Sequence, residues 1–159
     1  MDNQLAEYTE PAPPQNIKLV KVFTLCLILS IANGYFFNYL STYVFPGLEG
    51  NPIDKESIQE QLFLAVLIAP LLETLVYQYA SNKLLLKLRI SNYYLLLFIP
   101  AVLFGLSHYY NPLYIVAMLV GGTIMNYLYL YCHTNGHKAF WWVALLHALY
   151  NLYGIVFVQ

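Results

Sequence analysis

Five runs of roughly twenty predominantly apolar residues recur along this chain, and they constrain its fold more than any other feature. A helix of about twenty such residues crosses the roughly 30 Å of bilayer hydrocarbon, where every backbone N–H and C=O must be satisfied within the protein. The runs fall at 22–45, 61–80, 93–109, 113–132 and 140–158. Between them lie a breaker-rich loop at 46–59, a Lys- and Arg-bearing stretch at 81–89, the turn signal Asn111-Pro112 and a short polar loop at 133–138. The reading is therefore all-α: a polytopic membrane helix bundle of about five transmembrane helices over 18–159. A cytoplasmic tail at 1–17, holding Asp2, Glu7, Glu10 and three prolines with little to bury, is expected to be disordered.

A signal peptide is the competing reading of the first run. Lys18 and Lys21 precede it and Ser30-Ile31-Ala32 resembles a cleavage site, but the run continues through Gly34-Tyr35-Phe36-Phe37 and is too long for that design. Charged residues make up 9% of the 159 positions, against about 25% in soluble domains, which leaves too few charges to solvate a globular surface. There is no basic patch with which to neutralise phosphates, so nucleic acid is excluded as a partner. Lys18, Lys21, Lys83, Lys87, Arg89 and Lys138 fall on one side of the expected membrane and only Lys55 on the other. That asymmetry predicts an integral membrane protein of the plasma membrane with its N-terminus cytoplasmic and its C-terminus outside. Membrane lipids are its first partners. Cys26 and Cys132 lie far apart in apolar runs and read as small hydrophobes, not as a disulfide.

Strongly polar residues inside the runs are few. An ionisable group at membrane depth costs about 2.5–3.5 kcal/mol on insertion scales, which makes Glu73 a functional-site candidate by itself. The third run supplies Ser107 and His108, the fourth Thr123 and Asn126, and the fifth His147 and Asn151. Phe104 and His108 are four apart, as are His147 and Asn151, so each pair shares a helix face. One carboxylate, two imidazoles and an amide can bind and activate water. Low dielectric strengthens a carboxylate as a proton acceptor, an imidazole orients the attacking water, and the remaining donors stabilise a developing oxyanion. The same Glu73, His108 and His147 could instead ligate a divalent metal such as zinc with one position open. Thr74, Thr123 and Asn126 read as hydrogen-bond partners between helices, and His133 and His137 as solvated loop residues.

Glu73-Thr74-Leu75-Val76-Tyr77-Gln78, Phe104-Gly105-Leu106-Ser107-His108 and His147-Ala148-Leu149-Tyr150-Asn151 resemble the three motifs of the CAAX prenyl protease and bacteriocin-processing family of intramembrane proteases. That pattern is Glu-Glu-x-x-x-Arg, Phe-x-x-x-His and His-x-x-x-Asn/Asp on successive helices, and the likeness covers about residues 60–155. It implies an intramembrane endopeptidase acting on a peptide or membrane-protein substrate. Glu73 and His108 would activate the water, and His147 and Asn151 would stabilise the oxyanion, with or without metal. Thr74 and Gln78 stand where the family carries its second Glu and its Arg. Being four apart, they are expected to form a neutral hydrogen-bonded pair. A catalytically inactive member serving as a bacteriocin-immunity or scaffold protein is the alternative. A proton-coupled transporter using Glu73 as a relay is disfavoured by the lack of internal repeats.

One geometric tension accompanies this reading. At 1.5 Å per residue, Glu73 falls about 10 Å and His147 about 12 Å from the cytoplasmic edge, but His108 falls about 24 Å from it. A second helix running on to about Arg89 would carry Glu73 deeper.

Overall fold

The computed structural model describes residues 16–48 and 51–158, so most of the tail expected at 1–17 lies outside the described residues. Five principal helices account for the fold, and no strand occurs among the described residues. Helix α1 is Asn16–Tyr39, extended by a π-helical turn at Leu40–Val44. Helix α2 is Ile58–Lys87, α3 is Tyr93–Leu106, α4 is Pro112–Thr134 and α5 is Ala139–Phe157. Large apolar side chains such as Leu25, Phe36, Leu72, Leu103 and Val156 point outward, as lipid contact requires.

The starts of these helices are written in their capping residues. Ser57 and Glu60 form a reciprocal capping box at α2, with the Glu60 carboxylate accepting from the Ser57 N–H at 3.0 Å. Asn92 accepts from Tyr94 and Leu95 N–H at α3, and Asn111 from Leu113 and Tyr114 N–H at α4, with Pro112 in the first turn. Helix α4 ends on Gly136 at φ 71°, and the His137 N–H returns to the Cys132 carbonyl. Helix α2 ends in the same way without a glycine. Arg89 takes φ 62° and the Ile90 N–H reaches back to the Leu85 carbonyl.

Four helices, α1, α2, α4 and α5, are long and apolar enough to cross a membrane; α3, at 14 residues, is not. The expected third span at 93–109 is thus corrected to a shorter apolar helix of about 21 Å. Its chain leaves helical geometry at Ser107, before the Asn111-Pro112 turn that the apolar run reaches. Helix α4 is the most enclosed, with ten residues between Ala117 and Cys132 buried against α1, α3 and α5. Its close approach to α3 needs Gly122, where a Cβ would sit 2.8 Å from the Phe104 ring and 3.3 Å from the Ala101 backbone. Cys26 and Cys132 are both buried free thiols. His133 and His137 lie by the loop, stacked on Tyr129 and Tyr131 respectively.

Candidate active site

Helix α2 places the carboxylate, and its winding is irregular for a reason visible in the sequence. Pro70 has no N–H to give to the preceding turn. Leu62–Ile68 and Thr74–Ala80 are wound as π-helix, with the Ala69 N–H bonded five residues back to the Leu64 carbonyl. In that register the next acceptor, the Ala65 carbonyl, would look to Pro70, which cannot donate. Asn151 of α5 supplies the missing donor: its Nδ2 lies 2.7 Å from the Ala65 carbonyl oxygen. The second half of the His147–Asn151 pair therefore fastens α5 to α2, two helical turns ahead of Glu73.

One turn before Asn151, His147 is buried, and its Nε2 lies 3.6 Å from Glu73 Oε2. The Glu73 side chain retains 28% of its accessible surface, enough for the carboxylate to meet water or a substrate. The Phe104 ring sits between the two histidines, with its centroid 4.9 Å from that of His108 and 5.9 Å from that of His147. Tyr77 of α2 packs edge-on against the same ring. Phe104 is thus a spacer, buried to 1% exposure, that sets the separation of the imidazoles. His108 Nδ1 lies 2.8 Å from the Phe104 carbonyl. A carbonyl only accepts, so Nδ1 carries the proton and the Nε2 lone pair is left available.

Glu73, His108, His147 and Asn151 all line one cavity of about 900 Å³. For Glu73 and His108 the depth tension is removed by the lengths of two helices, whereas His147, eight residues past the start of α5, meets Glu73 by the packing of α5 on α2. Helix α2 continues to Lys87, fourteen residues past Glu73, and His108 lies fifteen residues past the start of α3 at Tyr93. These distances come to about 21 and about 22.5 Å at 1.5 Å per residue.

The adjacent face of α2 behaves differently. Thr74, Gln78 and Asn82, spaced by four, are all buried to 1% exposure or less. Asn82 Nδ2 donates to Asn126 Oδ1 at 2.7 Å and to its own-helix Gln78 carbonyl at 2.8 Å. Asn126 in turn donates to the Leu96 and Leu97 carbonyls of α3 at 2.6 and 2.9 Å, the interhelical role expected of it. Thr123 instead bonds the Leu119 carbonyl of its own helix. The expected Thr74–Gln78 hydrogen-bonded pair is not formed. Thr74 Oγ1 and both polar atoms of the Gln78 amide are buried without partners, because the π-helical turn between them misaligns side chains spaced by four.

The sequence reading missed the contribution of α1. Gly34, Phe37, Asn38 and Ser41 form a wall of the cavity, and Asn33 anchors that helix by donating to the Ala117 carbonyl at 3.0 Å. The four-residue spacing of Gly34 and Asn38, a small and a polar residue in an apolar run, was the available signal. As for a metal, among the described residues no group of three His, Cys, Asp or Glu side chains converges closely enough to hold an ion. Glu73 and His147 face each other, and His108, its Nδ1–H held by the Phe104 carbonyl, keeps its Nε2 lone pair free, but the three do not converge as a set. This arrangement does not present a formed three-ligand site.

A family model for type II CAAX prenyl endopeptidases, Rce1-like, matches residues 58–153 of the 159. No curated protein and no solved structure matches the chain. The matched segment begins at the first residue of α2, takes in all three motifs and excludes α1. On that match over more than half its length, the chain belongs to the type II CAAX prenyl endopeptidase Rce1-like family.

Proposed function

We propose that this protein is an intramembrane endopeptidase that hydrolyses a peptide bond at or near the membrane, in the plasma membrane and with its N-terminus cytoplasmic. The observation that carries the reading is the convergence of Glu73 from α2, His108 from the turn after α3 and His147 from α5 on one cavity, with His147 Nε2 3.6 Å from Glu73 Oε2. Glu73 takes a proton from the attacking water, which His108 Nε2 orients. The oxygen of that water bonds to the peptide carbonyl carbon, whose oxygen becomes the oxyanion. The proton held by Glu73 then passes to the leaving amine as the C–N bond breaks. His147 offers the oxyanion an N–H. Asn151 holds α5 in register through Ala65 and has a second amide hydrogen to offer.

The test is cleavage of quenched-fluorescence peptides by the purified protein in liposomes. Loss of general-base catalysis is worth about 10²–10⁴-fold, so Glu73→Gln and His108→Ala should fall by at least 10²-fold while remaining folded. Equal rates for wild type and both variants would end the hydrolase reading. Metal content and chelator sensitivity on the same samples decide whether an ion takes part.

A second reading is favoured by the unpartnered Thr74 and Gln78, which stand at the family's Glu and Arg positions. Here the chain keeps the fold as a non-catalytic immunity or scaffold protein. Restoring the charged pair with Thr74→Glu and Gln78→Arg together would separate the two, since activity appearing only in the double variant identifies a catalytically silenced member.

A further inference from the structure

The cavity is confined to one half of the bundle. Its lining includes Asn51 and Ile53 of the loop before α2, Asn111 of the turn before α4, and Val158 beyond α5. None of its lining residues falls between Tyr77 and Phe104 or between Met118 and His147. Those two excluded stretches, with the start of α1, carry Lys18, Lys21, Lys83, Lys87, Arg89 and Lys138. The site therefore opens at the end of the bundle remote from six of the seven basic residues. Basic residues flanking spans are retained on the cytoplasmic side.

We infer that the site is served from the non-cytoplasmic face, and that its substrate is an extended, uncharged segment of a membrane-anchored or exported polypeptide. This inference rests on the hydrolase reading for its chemistry, but not for its sidedness. Apart from Glu73 and the imidazoles, the described lining offers apolar groups and the neutral polar side chains of Asn, Ser and Tyr, with no Lys or Arg. A free C-terminal carboxylate would find no cation there, and burying it unpaired would be expensive. A basic residue beside the cleaved bond would pair with Glu73 and occupy the base. An internal bond in a neutral stretch suits these walls.

Two arms test this in cells expressing the full chain. In the first, Lys55→Cys at the cavity end, Ser41→Cys in the cavity wall and Lys138→Cys at the opposite end are treated with a membrane-impermeant maleimide. The native Cys26 and Cys132 are buried and should stay silent. Labelling of the first two in intact cells, and of Lys138→Cys only after permeabilisation, is expected. The reverse pattern overturns the inference. In the second arm, a single-span reporter carries the same neutral segment outside or inside the membrane. Only the outside version should be cut, with the cut lost in Glu73→Gln and slowed at least tenfold when Asp or Lys flanks the bond. Cutting of the inside version overturns the inference. Outward labelling with neither reporter cut would remove hydrolysis and the substrate assignment while leaving the sidedness standing.

Discussion

Pro70 and Pro100 each remove a backbone N–H from the middle of a helix, and at each the stranded carbonyl is taken by an asparagine from another helix. At Pro100 the acceptor is Leu96, four residues back in an α-helical register, and the donor is Asn126. At Pro70 it is Ala65, five back in a π-helical register, and the donor is Asn151. Their surroundings differ. Asn126 is fully buried, and its amide also serves the Leu97 carbonyl and accepts from Asn82. Asn151 makes a single such bond and borders the cavity. One clamp is saturated and closes a core; the other keeps capacity in reserve beside Glu73 and His147. The same device thus supplies rigidity in one place and positioning in the other.

The comparison can be broken at the Pro70 clamp first, where the largest effect is expected. Asn151→Ala should lower kcat by roughly 10²-fold, the cost of a misplacement of about 1 Å between catalytic groups. Adding Pro70→Ala returns a backbone N–H to α2, so most of that loss should be recovered in the double variant. A double variant as slow as Asn151→Ala would assign the amide directly to the substrate. At the Pro100 clamp, Asn126→Ala leaves the Leu96 carbonyl and one Asn82 amide hydrogen unpaired and should cost about 1–3 kcal/mol for each buried group. Thermal unfolding in detergent should show this as a lowered Tm, partly reversed by Pro100→Ala, with kcat per folded molecule unchanged. The smallest effect should come from Gln78→Leu, which removes an amide that has no partner to lose. Its Tm should hold or rise by about 2–4 °C, since a 1 kcal/mol gain shifts a domain of this size by that much. A marked fall would mean that Gln78 is hydrogen-bonded in the membrane.

Much of this was legible in the sequence. Apolar run lengths located all five helices, and polar residues rare enough to stand out located Glu73, His108, His147 and Asn151. The end of α2 was less legible, because Arg89 occupies a left-handed position that glycine would have advertised. The clamps were harder still. A proline names the residue whose N–H is missing, but which carbonyl is stranded depends on four- or five-residue winding, and that is decided by packing. The wall supplied by α1 lay outside the three motifs, and only the tertiary fold brings Asn38 and Ser41 to the same cavity as His108.

The shortness of α3 has a consequence for the second reactant of any hydrolysis. A helix of about 21 Å in about 30 Å of hydrocarbon leaves its far end, with Ser107, His108, Tyr110 and Asn111, below the membrane surface. Irregular backbone at that depth is tolerated where it borders hydration. The missing turns of α3 therefore act as a well, admitting the solvent that the surrounding lipid withholds.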